Sequence, residues 1–263
     1  MNASPRVALA TVSAHLTNVE PGFRAAAELG YDGVEVMVGY HPDSRDPRRL
    51  NALAAQYDVP VVAVHSPSLL LTLPVWGADP LRSAERSVDL AECVGASTVI
   101  AHPPFTWQHG SSGFLDHVRH LEHRTGLTVA VENMYPWRFG TRTFQPYAPH
   151  WDPTIMSADH VTLDASHAAA AGQDSVEVAA VLGDRLAHVH LADGHTGRGD
   201  QHLVPGTGSQ PLETLLKTLS SRSWSGIVSV ELAAHPFRSA IAWQSAADAL
   251  AFARRNLDPV TAA

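Results

Sequence analysis

The sequence predicts an α/β protein, a single-domain (β/α)8 TIM barrel over residues 1–263. Three observations predict it. Eight short runs rich in β-branched residues alternate with Ala- and Leu-rich amphipathic segments, the pattern of parallel strands joined by crossover helices. No linker, repeat, low-complexity tract or break in composition divides the chain. The length, 263 residues, is close to the roughly 250 typical of such a barrel.

The elements follow in order. VALATV (7–12) is the first strand, EPGFRAAAEL (20–29) the first helix, and a short return over 29–32 leads into GVEVMV (33–38). A helix over 46–57 precedes VPVVAVH (59–65), and one over 80–94 precedes TVIAH (98–102). A helix over 113–123 leads to LTVAVE (127–132). Before HVTLD (160–164) the helical signal is weakest and reduces to 153–157. Helices over 175–182 and 211–220 precede LAHVHL (186–191) and GIVSVEL (226–232), and a last helix covers 239–255. The competing architecture, an open doubly wound sheet, lacks its glycine-rich phosphate fingerprint, because Ser13-Ala14-His15-Leu16 follows the first strand. The long irregular stretches 66–79, 103–112, 133–150 and 192–210 each follow a strand, whereas returns from helix to strand are short. That asymmetry predicts one active face, at the strands' C-terminal ends.

Composition narrows the function. Hydrophobic residues make up 45% and charged residues 17%, which suits a chain that buries a large core. The net charge is −8 and Lys217 is the sole lysine, which argues against a nucleic-acid partner. Cys93 is the single cysteine, so no disulfide forms within the chain and any bound metal must use His, Asp and Glu. The N-terminal stretch has no long apolar h-region. No apolar run approaches the roughly 18 residues that span a bilayer. A cytoplasmic protein with no membrane partner is expected.

Groups able to ligate a metal stand at strand ends. His65, His102, Glu132, Asp164, His190 and Glu231 fall on six successive predicted strand ends. His167 lies just past Asp164, and Asp200 and His202 lie in the loop after the seventh strand. In a closed barrel these ends ring one bowl. Carboxylates buried there need a partner charge or a metal. Imidazoles and carboxylates without thiolates suit Zn, Mn, Co or Mg. His188 shares a strand face with His190 and is expected inside the barrel, and Glu35 is expected to hold an imidazole from behind or to form a simple salt bridge. Trp76, Trp107, Trp137 and Trp151 are expected to pack the active-face loops, with stacking on a substrate ring as the alternative. Pro205–Gly208 is read as a turn, or as a phosphate cradle.

Several stretches carry a family resemblance: GYDGVEV (30–36), VAVHS (62–66), IAHPP (100–104), VAVENM (129–134), LDASHAAAAGQD (163–174), VHLAD (189–193), GDQH (199–202) with PGTG (205–208), and VSVEL (228–232). The chain resembles the xylose-isomerase-like barrel superfamily, which unites sugar isomerases and epimerases with endonuclease IV. The isomerase and epimerase branch implies one divalent metal on two glutamates, an aspartate and a histidine, matching Glu132, Asp164, His190 and Glu231. Its two glutamates move a proton on and off a carbon beside a carbonyl. That branch commonly adds a glutamate and an arginine that hold the sugar; here Arg138 and Thr196 stand near those positions, with Arg198 as a nearby substitute.

The endonuclease IV branch implies three zinc ions on nine ligands, adding positions that match His65, His102, His167, Asp200 and His202. The whole set is present, which favours a trinuclear zinc site. Three divalent ions outweigh four carboxylates and suit a phosphoester, whereas one ion among three carboxylates suits an uncharged sugar. The leading expectation is therefore metal-assisted phosphoester hydrolysis. Ser68 stands where that branch has a tyrosine probing the duplex, so a small phosphorylated metabolite or nucleotide is expected rather than abasic DNA. The alternative is a divalent-metal-dependent sugar or sugar-phosphate isomerase or epimerase with Glu132 and Glu231 as the acid/base pair.

Overall fold

The computed structural model describes residues 5–67, 75–233 and 239–257. The elements in chain order are β1 (Arg6–Ala10), α1 (Thr11–Ala14), α2 (Glu20–Leu29), β2 (Gly33–Met37), α3 (Pro47–Tyr57), β3 (Val61–His65), α4 (Pro80–Val94), β4 (Thr98–Ala101), α5 (Phe114–Thr125) and β5 (Thr128–Glu132). They continue with β6 (Trp137–Phe139), β7 (Arg142–Phe144), β8 (Val161–Asp164), α6 (Ala165–Ala171), α7 (Ser175–Leu182), β9 (Leu186–Leu191), α8 (Leu212–Ser221), β10 (Ile227–Val230) and α9 (Ser239–Leu257). Eight strands, β1–β5 and β8–β10, pair side by side in chain order, and β10 closes onto β1. Every pair in the ring is parallel. The predicted (β/α)8 barrel is the fold observed.

Local chemistry explains the helix starts. Asp46, Asp79 and Asp174 accept backbone N–H groups at the first turns of α3, α4 and α7, satisfying donors that have no partner within the helix. Both faces of the sheet are covered, so its strands read as near-continuous Val, Ile, Leu and Ala. The main core lies between strands and helices, from Val7 and Phe23 round to Leu250 and Leu257. A small separate cluster of Ala8, Ala63, Ile100 and Ile227 plugs the barrel interior. Gly33 has no side chain for a steric reason: a Cβ there would meet Val62 Cγ1 at 2.5 Å and the Pro60 carbonyl oxygen at 2.8 Å.

Some expectations are corrected. No helix forms over 153–157; the β5–β8 connection carries the β6–β7 hairpin and turns instead. His150 Nδ1 accepts the Asp152 N–H and Asp152 accepts the Thr154 N–H, local bonds that compete with a helical turn. The helix α6 was not expected; it starts on Asp164, whose Oδ1 accepts the His167 N–H at 2.7 Å. β4 stops one residue early and β10 two, so His102 and Glu231 lie just past their strands. β1 stops at Ala10 and turns into α1.

Candidate metal centre

All nine expected ligand residues meet at the C-terminal mouth of the barrel. Side chains alternate along a strand, so the inward-facing residue at each strand end points to the same bowl. They form overlapping groups. Glu132, Asp164, His190 and Glu231 make one, His65, His102 and Glu132 a second, and Asp164, His167 and His202 a third, each with its ligand atoms within 4.8 Å of one another. Asp200 belongs with the third group: its Oδ2 lies 3.4 Å from His167 Nε2 and 3.1 Å from His202 Nε2. Glu132 links the first two groups. Its Oε1 lies 3.0 Å from His190 Nδ1, and its Oε2 lies 2.6 Å from His102 Nε2 and 3.3 Å from His65 Nε2. Glu231 Oε2 and Asp164 Oδ2 approach the same His190 Nδ1 at 3.1 and 3.5 Å.

These residues fit divalent cations. Glu132 Oε2, Asp164 Oδ2 and Glu231 Oε2 are buried and face imidazole nitrogens, with no backbone or hydroxyl donor to satisfy them. Leaving such atoms unpaired is costly, and a cation held among them satisfies all three. The histidine tautomers agree. His65 Nδ1 meets the Ser66 carbonyl at 2.7 Å, His167 Nδ1 the Asn133 carbonyl at 2.9 Å, and His202 Nδ1 the Glu231 carbonyl at 3.0 Å. A carbonyl oxygen only accepts, so each Nδ1 carries the proton and each Nε2 is directed into the bowl. His190 is turned the other way: Nε2 meets Glu35 Oε1 at 2.9 Å, leaving Nδ1 for the centre. Imidazoles fixed from behind in this way are typical of metal sites.

Electrostatics make the same point. Burial works against a charged His190, but Glu231, Glu35 and Glu132 hold its pKa well above the ordinary imidazole value. His167 is raised in the same way by Asp164 and Asp200. His202, opposed by burial but favoured by Asp164, Asp200 and Glu231, is raised to about 10. Burial opposes ionisation of Glu132, but His102 and His190 keep it well below the carboxylate range. His102 goes down because burial dominates there. Without a cation, protons on these imidazoles balance the carboxylates.

Supporting residues that sequence reasoning passed over lie inside the quoted motifs. Ser166 Oγ donates to Asp200 Oδ1 at 2.7 Å and accepts the Gln201 and His202 N–H groups at 3.1 and 3.0 Å. Asn133 brackets the Asp164 backbone, donating to its carbonyl and accepting its N–H. Asp193, fully buried, anchors the ligand loop by accepting N–H groups from Gly194, Gly206, Gly208 and Gln210. That finding removes the phosphate-cradle reading of Pro205–Gly208, since the Gly206 and Gly208 donors serve Asp193.

Other expectations sort plainly. His188 is buried in the barrel with Nε2 2.9 Å from Glu35 Oε2, so Glu35 both holds His190 from behind and pairs with His188. Trp137 and Trp151 pack on Phe105, Met134 and Tyr147, and Trp76 packs on the main core. Trp107 stacks on Phe105 with one face exposed. Arg138 donates to the Ala170, Ala171 and Gly197 carbonyls. Together with Arg198 it lines a side cavity, away from the main one. Ser68 lies outside the described residues.

A cavity of about 400 Å³ opens over the ligands. A larger one, about 580 Å³, lies among Arg6, Arg222 and Trp224 at the opposite end of the barrel, with none of the ligand residues in its lining. Among the described residues, no helix is long and apolar enough to cross a membrane.

Residues 23–255 match the family described as Xylose isomerase-like TIM barrel. The chain belongs to this family. An uncharacterized protein of Mycobacterium tuberculosis is 40% identical to this barrel over 278 residues, covering 98% of the chain and 99% of its own length. Fructoselysine 3-epimerase of Escherichia coli O157:H7 is 25% identical over 241 residues, 81% of this chain and 85% of the relative. Among solved structures, an L-ribulose 3-epimerase superposes with a TM-score of 0.70 at 15% identity, covering 97% of this chain and 95% of that one. A D-tagatose 3-epimerase-like protein superposes at 0.67 and 20% identity, covering 96% and 99%. The curated relative with a known activity is thus an epimerase, which fits the isomerase or epimerase alternative better than the phosphoesterase expectation.

Proposed function

We propose that the protein is a divalent-metal-dependent isomerase or epimerase of a small, sugar-like substrate. The observation that carries this reading is the pair of carboxylates, Glu132 and Glu231, reaching the same His190 Nδ1 at 3.0 and 3.1 Å, with Asp164 beside them. Its kinship with sugar epimerases supports the same chemistry. Glu132, Asp164, His190 and Glu231 would hold the ion. When bound, the ion polarises the substrate's carbonyl and acidifies the adjacent C–H. Of the two glutamates, one takes the proton from that carbon and the other returns one. Glu35 keeps His190 oriented throughout. Arg138, committed to backbone carbonyls, does not serve as a sugar-holding group.

The test is solvent deuterium exchange. Metal-loaded protein incubated in D2O with a panel of ketoses should wash deuterium into the carbon beside the carbonyl, and Glu231→Gln should stop it. Absence of exchange on every ketose, with turnover on a phosphoester panel, would overturn the reading.

A second reading keeps one specific observation. The His65–His102–Glu132 and His167–Asp200–His202 groups, with tautomers set by carbonyls, have no task in a one-metal enzyme. They suit a trinuclear centre and phosphoester hydrolysis. Elemental analysis separates the readings: about three ions per chain supports the trinuclear centre. One ion, with Asp200→Ala and His202→Ala still active, removes it.

A further inference from the structure

The main cavity has two unlike walls. One is the ring of ligand residues. The other, from α1, the end of β2 and the loops after α1, β2 and β3, presents Val12, Leu16, Met37, Val38, Tyr40 and Val75. Leu16 and Tyr40 are 57% and 49% exposed. Scattered exposed apolar residues are ordinary, but a contiguous set facing a reactive centre marks a ligand surface.

The backbone of that wall is also closed to polar partners at the positions nearest β2. The Met37 N–H donates to Thr11 Oγ1, the Val38 N–H to the His65 carbonyl, and the Gly39 N–H to Ser44 Oγ. A polyhydroxylated chain laid against these residues would lose its water and find few replacements. Each hydroxyl stranded in this way costs roughly tenfold in affinity.

We propose that the substrate is amphiphilic: a hydroxy-carbonyl head lies on the metal ligands, and an alkyl or aryl substituent lies against the Val12–Leu16–Met37–Tyr40 wall. The substrate class is therefore a sugar-like compound that keeps a free carbonyl and carries an apolar group, such as a keto-glycoside with an alkyl or aryl substituent, rather than a free sugar hydroxylated along its whole length. This rests on the metal-centre reading above.

Hydroxamates test it independently of turnover, because the head binds a metal while the tail is varied. Binding of aceto-, butano-, hexano- and benzohydroxamate to the zinc-loaded full chain is measured by calorimetry, with gluconohydroxamate as the polyhydroxylated control. Affinity should rise about fourfold per methylene, and hexanohydroxamate should exceed gluconohydroxamate by at least tenfold. Leu16→Asn and Tyr40→Ser, at exposed positions that a fold tolerates, should each flatten the gain. Acetohydroxamate binding with no gain for longer tails, or tighter binding of gluconohydroxamate, overturns the proposal while leaving the metal centre standing. Failure of every hydroxamate, acetohydroxamate included, overturns the metal-centre reading and the proposal with it.

Discussion

Replacing Asp193 by asparagine should unhook the loop that carries Asp200 and His202. The carboxylate is fully buried, and its two oxygens take two backbone donors each. Oδ1 accepts from Gly194 and Gln210 at 2.8 and 3.1 Å, and Oδ2 from Gly206 and Gly208 at 2.9 Å each. Asparagine has the same shape but only one oxygen. Whichever way it turns, its amino group faces two N–H donors and two bonds are lost. Bonds to a charged group contribute about 1.5–3 kcal/mol each, so the loss is about 3–6 kcal/mol. For a chain of this size that lowers Tm by on the order of 10 °C. Thermal unfolding followed by circular dichroism reads the change, and metal content reads the loop. Packing gives a second handle, since a Cβ at Gly208 would fall 2.6 Å from Asp193 Cγ, so Gly208→Ala should act in the same direction. An Asp193→Asn protein melting within about 2 °C of wild type, with its metal retained, would show that the carboxylate does not anchor the loop.

Three further outcomes are expected. Ser166→Ala removes the donor to Asp200 and the acceptor for the Gln201 and His202 N–H groups. It should weaken binding at the His167–Asp200–His202 group roughly 10–100-fold and spare the Glu132–Asp164–His190–Glu231 group; equilibrium dialysis that finds both groups changed alike contradicts this. Metal uptake should also release protons, because His167 and His190 are raised well above the ordinary value and His202 to about 10 in the metal-free protein. Apparent affinity therefore falls as pH falls, and calorimetry in buffers of different ionisation enthalpy counts the protons. Raised pKa values stabilise the metal-free fold fully below the unfolded imidazole value of about 6.5, and that contribution is lost as pH rises through the folded values. Metal-free protein should thus lose Tm between those limits, relative to metal-loaded protein; parallel curves would refute the assignment.

Much of this protein was legible before any coordinates. Alternating short strands and amphipathic helices determined the barrel, and a side-chain period of two placed His65, Glu132, Asp164 and His190 on its inner face whatever their partners. The nine ligand candidates needed only the strand ends and two motifs. Closure decided the rest. Glu132 became the link between two groups because β5 lies between β4 and β8 in the ring, and Glu35 came behind His190 from 155 residues away. The tasks of Ser166, Asn133 and Asp193 depend on loops folding back, and no periodicity encodes that. Likewise turns replaced the weak helix over 153–157 because local side-chain bonds outweighed propensity, and a hairpin over 137–144 formed in a stretch that read as irregular. The apolar wall is also a tertiary product. Val12, Met37 and Val75 lie in separate stretches, and only a closed barrel turns them toward one centre.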